Sequence, residues 1–159
     1  MLHLLLLLHL GFQGGSNCAD PVKSHQFDFW IGEWEVYTNG VLAGHSTVQA
    51  VAGDCVLHEH WRGLTARGTS LNYYESAGGQ WHQIWVWENG KTLPKLSGGL
   101  EGKSMVLQGV QKTKDGEVLH KIAWTPNEDG TVRQHWEVSN DGGKFWQTSF
   151  DGLYKPVKK

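Results

Sequence analysis

Beyond residue 30 the chain carries no apolar repeat of helical period. Apolar and polar residues instead alternate in short runs broken by turn dipeptides. The runs near residues 33–38, 44–51, 55–62, 68–75, 80–88, 92–97, 104–111, 117–125, 131–138 and 144–150 predict about ten short strands. Asn39-Gly40, Asn89-Gly90, Asp115-Gly116 and Asp129-Gly130 between them predict tight hairpins of type I′. Gly53-Asp54, Gly78-Gly79 and Asn140-Asp141-Gly142-Gly143 add further breaks. Consecutive strands joined by hairpins give up-and-down order, and closing such a sheet removes its unpaired edges. The expected fold is therefore all-β, a closed antiparallel up-and-down barrel of about ten strands. Residues 24–29 predict one helical turn ahead of the first strand.

Alternate residues of a strand share a face, so each run divides into a lumen set and an outer set. In 55–62 the more apolar set is Cys55, Leu57, Glu59 and Trp61, which places His58, His60 and Arg62 outside. In 81–87 Trp81, Gln83, Trp85 and Trp87 form one face. Ser70, Asn72 and Tyr74 form another in 68–75, Gln134 and Trp136 point inward in 131–138, and His120, Ile122 and Trp124 share a side. The expected lumen combines Trp61, Trp85, Trp124 and Trp136 with Glu59, Ser70, Asn72, Gln83 and Gln134. Aromatic walls with a few fixed polar groups are the usual make-up of a small-ligand site. The alternative is a filled core in which the polar groups satisfy one another.

Composition bounds the rest. The 159 residues suit one domain, and the 9 Trp and 21 Gly fit strands and turns. With 14 Lys and Arg against 16 Asp and Glu, for a net charge of −2, there is no basic patch to draw nucleic acid. Leu4 to Leu8 and Leu10 form an apolar run too short to span a bilayer, followed by small residues from Gly11 to Ser16. This is the pattern of a cleaved export signal over residues 1–16, though it lacks Lys or Arg at its start. A lead-in over 17–30 and a barrel domain over 31–159 follow, with secreted or periplasmic localisation and no stable membrane anchor. Cys18 and Cys55 are the two cysteines; they are expected to pair in an oxidising compartment and to remain thiols in the cytosol.

Gly32-Glu33-Trp34 resembles the Gly-x-Trp signature that opens the first strand of lipocalins and other calycins. The longer string Phe27-Asp28-Phe29-Trp30-Ile31-Gly32-Glu33-Trp34 resembles the DUF1579-like family of small bacterial proteins. So do Gly53 to Trp61, Gly68 to Tyr74, Trp81 to Trp85 and Arg133 to Glu137. The resemblance runs over roughly residues 25–154 and implies a lipocalin-like barrel; it carries no activity. Ser139 to Trp146 is similar to a single Asp-box hairpin, which reads as a turn device.

Two functions from different classes follow. One is a binding protein that captures a small apolar or aromatic molecule in the lumen. The other is a cofactor-free isomerase, cyclase or lyase, with Glu59 transferring the proton and Asn72, Gln83 or Tyr74 stabilising developing charge. Burial of Glu59 without a partner would raise its pKa into the range such a role needs. Metal or heme binding is a lesser alternative. His58 and His60 have the spacing that aligns two imidazoles on one strand face, with His45 or His82 as a third zinc ligand. His120 is the inward His placed to hold a heme. No nucleophile elbow, phosphate loop or dinucleotide fingerprint is present.

Overall fold

A computed structural model of the chain describes residues 18–158; the expected export signal lies outside them. Ten strands follow one another: β1 (Gly32–Thr38), β2 (Val41–Val51), β3 (Val56–Gly63), β4 (Arg67–Glu75), β5 (Gln80–Trp87), β6 (Leu96–Glu101), β7 (Ser104–Thr113), β8 (Gly116–Pro126), β9 (Val132–Ser139) and β10 (Gln147–Pro156). Each pairs antiparallel with its sequence neighbours, and β1 closes the circle on β10 through Trp34↔Pro156 to Tyr37↔Leu153. The expected all-β, closed up-and-down barrel is the fold of the chain.

Local differences have identifiable causes. Asn39-Gly40 has positive φ at both residues, 51° and 79°, as a type I′ turn requires. Asn89-Gly90 and Asp129-Gly130 have positive φ only at the glycine. There the wider loops Trp87–Lys91 and Asn127–Thr131 close through backbone bonds across their ends. The run 92–97 is mostly connection: Pro94 has no N–H to donate, Thr92 makes an isolated bridge to Val86, and β6 starts only at Leu96. The last run begins late, because Asp141 Oδ1 accepts bonds from the backbone N–H groups of Lys144 and Phe145 and holds that stretch as a loop. From Gln147 the strand runs on to Pro156, past the expected end at 150. The predicted helical turn is two 3-10 turns, Lys23–His25 and Asp28–Trp30.

Those turns form the floor of the barrel. Phe27 and Trp30 are fully buried and stacked, with ring centroids 5.1 Å apart. Phe27 meets Trp81 and Trp124 edge-on at 5.7 and 5.2 Å, and Trp30 meets Tyr154 at 6.0 Å. The indole N–H of Trp34 donates to Trp30 O and that of Trp81 to Lys23 O, which pins the segment in place. Gly32 leaves the room this needs, since a Cβ there would stand 3.2 Å from the Trp34 ring. Cys18 and Cys55 form a disulfide that ties the start of the described chain to the β2–β3 connection at the same end.

Candidate functional site

With the floor sealed, the lumen opens at the opposite end, where the β3–β4 and β5–β6 connections lie. A cavity of about 230 Å³ runs in from this mouth. Its walls are Trp61, Trp85, Trp87, Trp136 and Phe150, all half-buried, and its deeper face carries Glu59, Gln83, Gln134, Ile122 and Tyr154. The parity read from the sequence holds on β3, β5 and β9: Glu59 and Trp61, Gln83 and Trp85, and Gln134 and Trp136 all reach the lumen.

Glycines let the aromatic walls lie back. Trp61 rests over Gly44 and Gly63, cross-strand partners on β2 and β3, where added Cβ atoms would stand 2.9 and 2.7 Å from its ring. Trp85 covers Gly68 at 2.5 Å, and Phe150 covers Gly152 at 2.5 Å, on the same terms. An aromatic ring laid over a glycine covers the bare backbone without filling the lumen. The outcome is an open, π-faced funnel.

Below the funnel, Glu59 is 4% exposed. Ser46 Oγ donates to its Oε1 and Ser70 Oγ to its Oε2, each at 3.0 Å. Asn72 Nδ2 donates to Ser70 Oγ at 2.9 Å and to Leu57 O at 3.3 Å, and Gln83 Nε2 donates to Asn72 Oδ1 at 2.9 Å. One directed chain therefore runs from Gln83 through Asn72 and Ser70 to the carboxyl, on strands β5, β4 and β3. Burial pushes the Glu59 carboxyl up to about 7, against the downward pull of the Ser70 and Ser46 hydroxyls. Across the lumen the Tyr154 hydroxyl donates to Gln134 Oε1. Burial, and then the nearby Glu59 charge, hold the Tyr154 hydroxyl well above its ordinary value. None of the described residues lining the cavity is Lys, Arg or His, and none of the ion pairs among described residues reaches Glu59.

Several expected site residues lie elsewhere. Ser70 and Asn72 stand behind Glu59 and Gln83 as supports, without lining the cavity. Trp124 is wholly buried in the floor against Phe27 and Trp30. Tyr74 is also at the floor end, 6.2 Å from Trp81 and beneath the Lys23 ammonium, away from the Glu59 pocket. Ser46, Phe150 and Tyr154 belong to the site and are not among the residues that alternation singles out. The pattern does not separate the two faces of β2, and it ends the final strand at 150. The alternation Phe150-x-Gly152-x-Tyr154 is the signal that points to the longer strand.

The described histidines fall outside the cavity. His58 points outward and bonds Thr69 Oγ1 at 2.7 Å, while Thr69 gives its own proton to Glu59 O. His60 is exposed, and His82 is held between Ser97 and Glu75. No group of three or more His, Cys, Asp or Glu side chains with metal-binding placement occurs among the described residues. His120 has both ring nitrogens engaged: Nδ1 accepts from Trp136 Nε1 at 3.2 Å, and Nε2 faces Gln111 Oε1 at 3.1 Å. It anchors a wall indole, and burial lowers its pKa.

No protein-family model matches the chain, and no curated protein is significantly similar to it.

Proposed function

We propose that this protein binds a small, largely apolar or aromatic molecule in the open half of the barrel, outside the cytoplasm. The observation that carries this reading is the mouth-facing cavity with its five aromatic walls, three of them, Trp61, Trp85 and Phe150, laid back over glycines. Its volume exceeds the ~150 Å³ that admits benzene in an engineered apolar cavity, so the ligand is on the order of ten heavy atoms. The secreted or periplasmic setting is supported by the Cys18–Cys55 disulfide and by the apolar run that opens the sequence. The same proposal places the chain with the DUF1579-like, lipocalin-like proteins, on the strength of the motif series from Phe27 to Glu137.

The test is native mass spectrometry of the protein isolated from its own host, followed by calorimetry of the stripped protein with 2-phenylethanol, a neutral probe that fits the cavity. A co-purified small molecule, or saturable binding of the probe, supports the reading. A bare mass together with no binding of any probe up to its solubility overturns it.

One observation favours a second reading, acid–base catalysis: the cavity's carboxyl titrates near neutrality. Under that reading, a ligand recovered after incubation in D₂O carries deuterium with the native protein and none with Glu59→Gln. Equal deuterium content in the two samples removes catalysis by Glu59.

A further inference from the structure

The cavity joins a buried carboxyl to a ring of aromatic side chains, and none of the described residues lining it brings the positive charge that such a combination ordinarily has. Buried carboxylates in folded proteins are almost always paired with a cation or a metal. Glu59 has neither among the described residues; its partners are the hydroxyls of Ser46 and Ser70. An ionised carboxylate offers about four lone-pair sites, and these two donors occupy two of them. Around the approach to Glu59 stand Trp61, Trp85, Trp87, Trp136 and Phe150. Faces of this kind attract ammonium groups, Trp most strongly, and more so where water is excluded. Gln134 Oε1 and Gln83 add amide oxygens that an N–H donor can reach, whereas an anionic ligand would meet Glu59 with no compensating cation.

We propose that the ligand is a small arylalkyl ammonium, whose charged nitrogen lies against the Glu59 carboxylate while its ring stacks within the tryptophan funnel. This rests on the reading of the lumen as a ligand site, and it supplies the missing charge from the ligand itself. The Ser70–Asn72–Gln83 chain then has a purpose beyond filling space. Each of its hydrogen bonds is directed toward the carboxylate, so the anion that receives the ammonium is held in one orientation before binding.

The test compares three probes of similar size by calorimetry: 2-phenylethylammonium, 2-phenylethanol and phenylacetate. The expected result is at least tenfold tighter binding of the ammonium than of the alcohol, with phenylacetate weakest. Glu59→Gln, nearly isosteric with the native side chain, should bring the ammonium and alcohol affinities together. In the native protein, affinity for the ammonium should rise between about pH 6 and pH 8, as Glu59 ionises while the amine stays charged. Among the described residues, the other titratable group facing the cavity is Tyr154; Lys91 and His120 line the shallow depression beside the mouth. The pH slope must therefore vanish in Glu59→Gln; a slope that persists there belongs to one of those groups and overturns the assignment. Equal affinity for ammonium and alcohol in the native protein also overturns it, while leaving the ligand-binding reading intact. Failure of all three probes to bind overturns the ammonium assignment, and together with a bare native mass it overturns the ligand-binding reading as well. If Glu59→Gln does not fold, the probe ranking and its pH dependence in the native protein decide the matter alone.

Discussion

Glu59 is the residue on which stability and chemistry meet. Its proton is held more tightly in the folded chain than in the unfolded one, because burial disfavours the charged form more than Ser46 and Ser70 favour it. The linked stability is fully present below the ordinary carboxyl value of 4.5 and is lost as pH rises through about 7. The loss is on the order of a few kcal/mol, levelling off above that range. An amide in place of the carboxyl has no such proton to lose. Between pH 5 and pH 8 the native urea midpoint should therefore fall relative to that of Glu59→Gln, while the contribution of His120, whose pKa burial lowers, is common to both proteins. Parallel curves for the two proteins would show that Glu59 is solvated in solution. The inward placement of Glu59 is legible from alternation alone, since Leu57 and Trp61 fix the parity of β3. Its satisfying hydroxyls are only half legible: Ser70 shares a recognisably polar face, but Ser46 lies between Gly44 and Val48 in a run whose two faces are similar in character.

At the scale of the strands, the funnel depends on glycine as much as on tryptophan. Gly68 lies on the inner face of β4, paired with Trp61 on one side and Trp87 on the other. A Cβ there would stand 2.5 Å from the Trp85 ring and 2.7 Å from Val86 O, and the carbonyl belongs to a strand that cannot move independently. Gly68→Ala should therefore cost about 1–3 kcal/mol, as overpacking does, and drive the Trp85 indole into the lumen. Stability to urea and the affinity for 2-phenylethanol should fall together; an unchanged affinity would mean that Trp85 does not shape the cavity. The number of strands and most of their bounds are legible because turn dipeptides and alternation agree along the chain. The misplaced pieces are those where a single residue overrides the pattern. Pro94 delays β6, and the Asp141 carboxylate holds the last loop beyond the point where apolar residues resume. Reading β10 only to residue 150 hides Tyr154, and with it the far wall of the site.

The whole molecule separates its stabilising end from its binding end. The floor collects Phe27, Trp30, Trp81, Trp124 and the disulfide, whereas the glycine-backed aromatics surround the mouth. This separation follows from closure. One end of a barrel can be filled by a folded-in segment while the other stays open, and the wall strands between them are held by their own ladder. The disulfide spans 37 residues, and restricting that loop in the unfolded chain is worth about 4 kcal/mol in the chain-entropy account. Replacing Cys18 and Cys55 together by serine should lower the melting temperature by roughly 10 °C for a domain of this size. Affinity for 2-phenylethanol, measured well below the new transition, should stay within about twofold of the native value, because neither cysteine lines the cavity. A loss of affinity that tracks the loss of stability would mean that the floor sets the shape of the mouth. The barrel would then act as one coupled unit, and the lead-in segment around Phe27 and Trp30 would be part of the binding machinery as well as its seal.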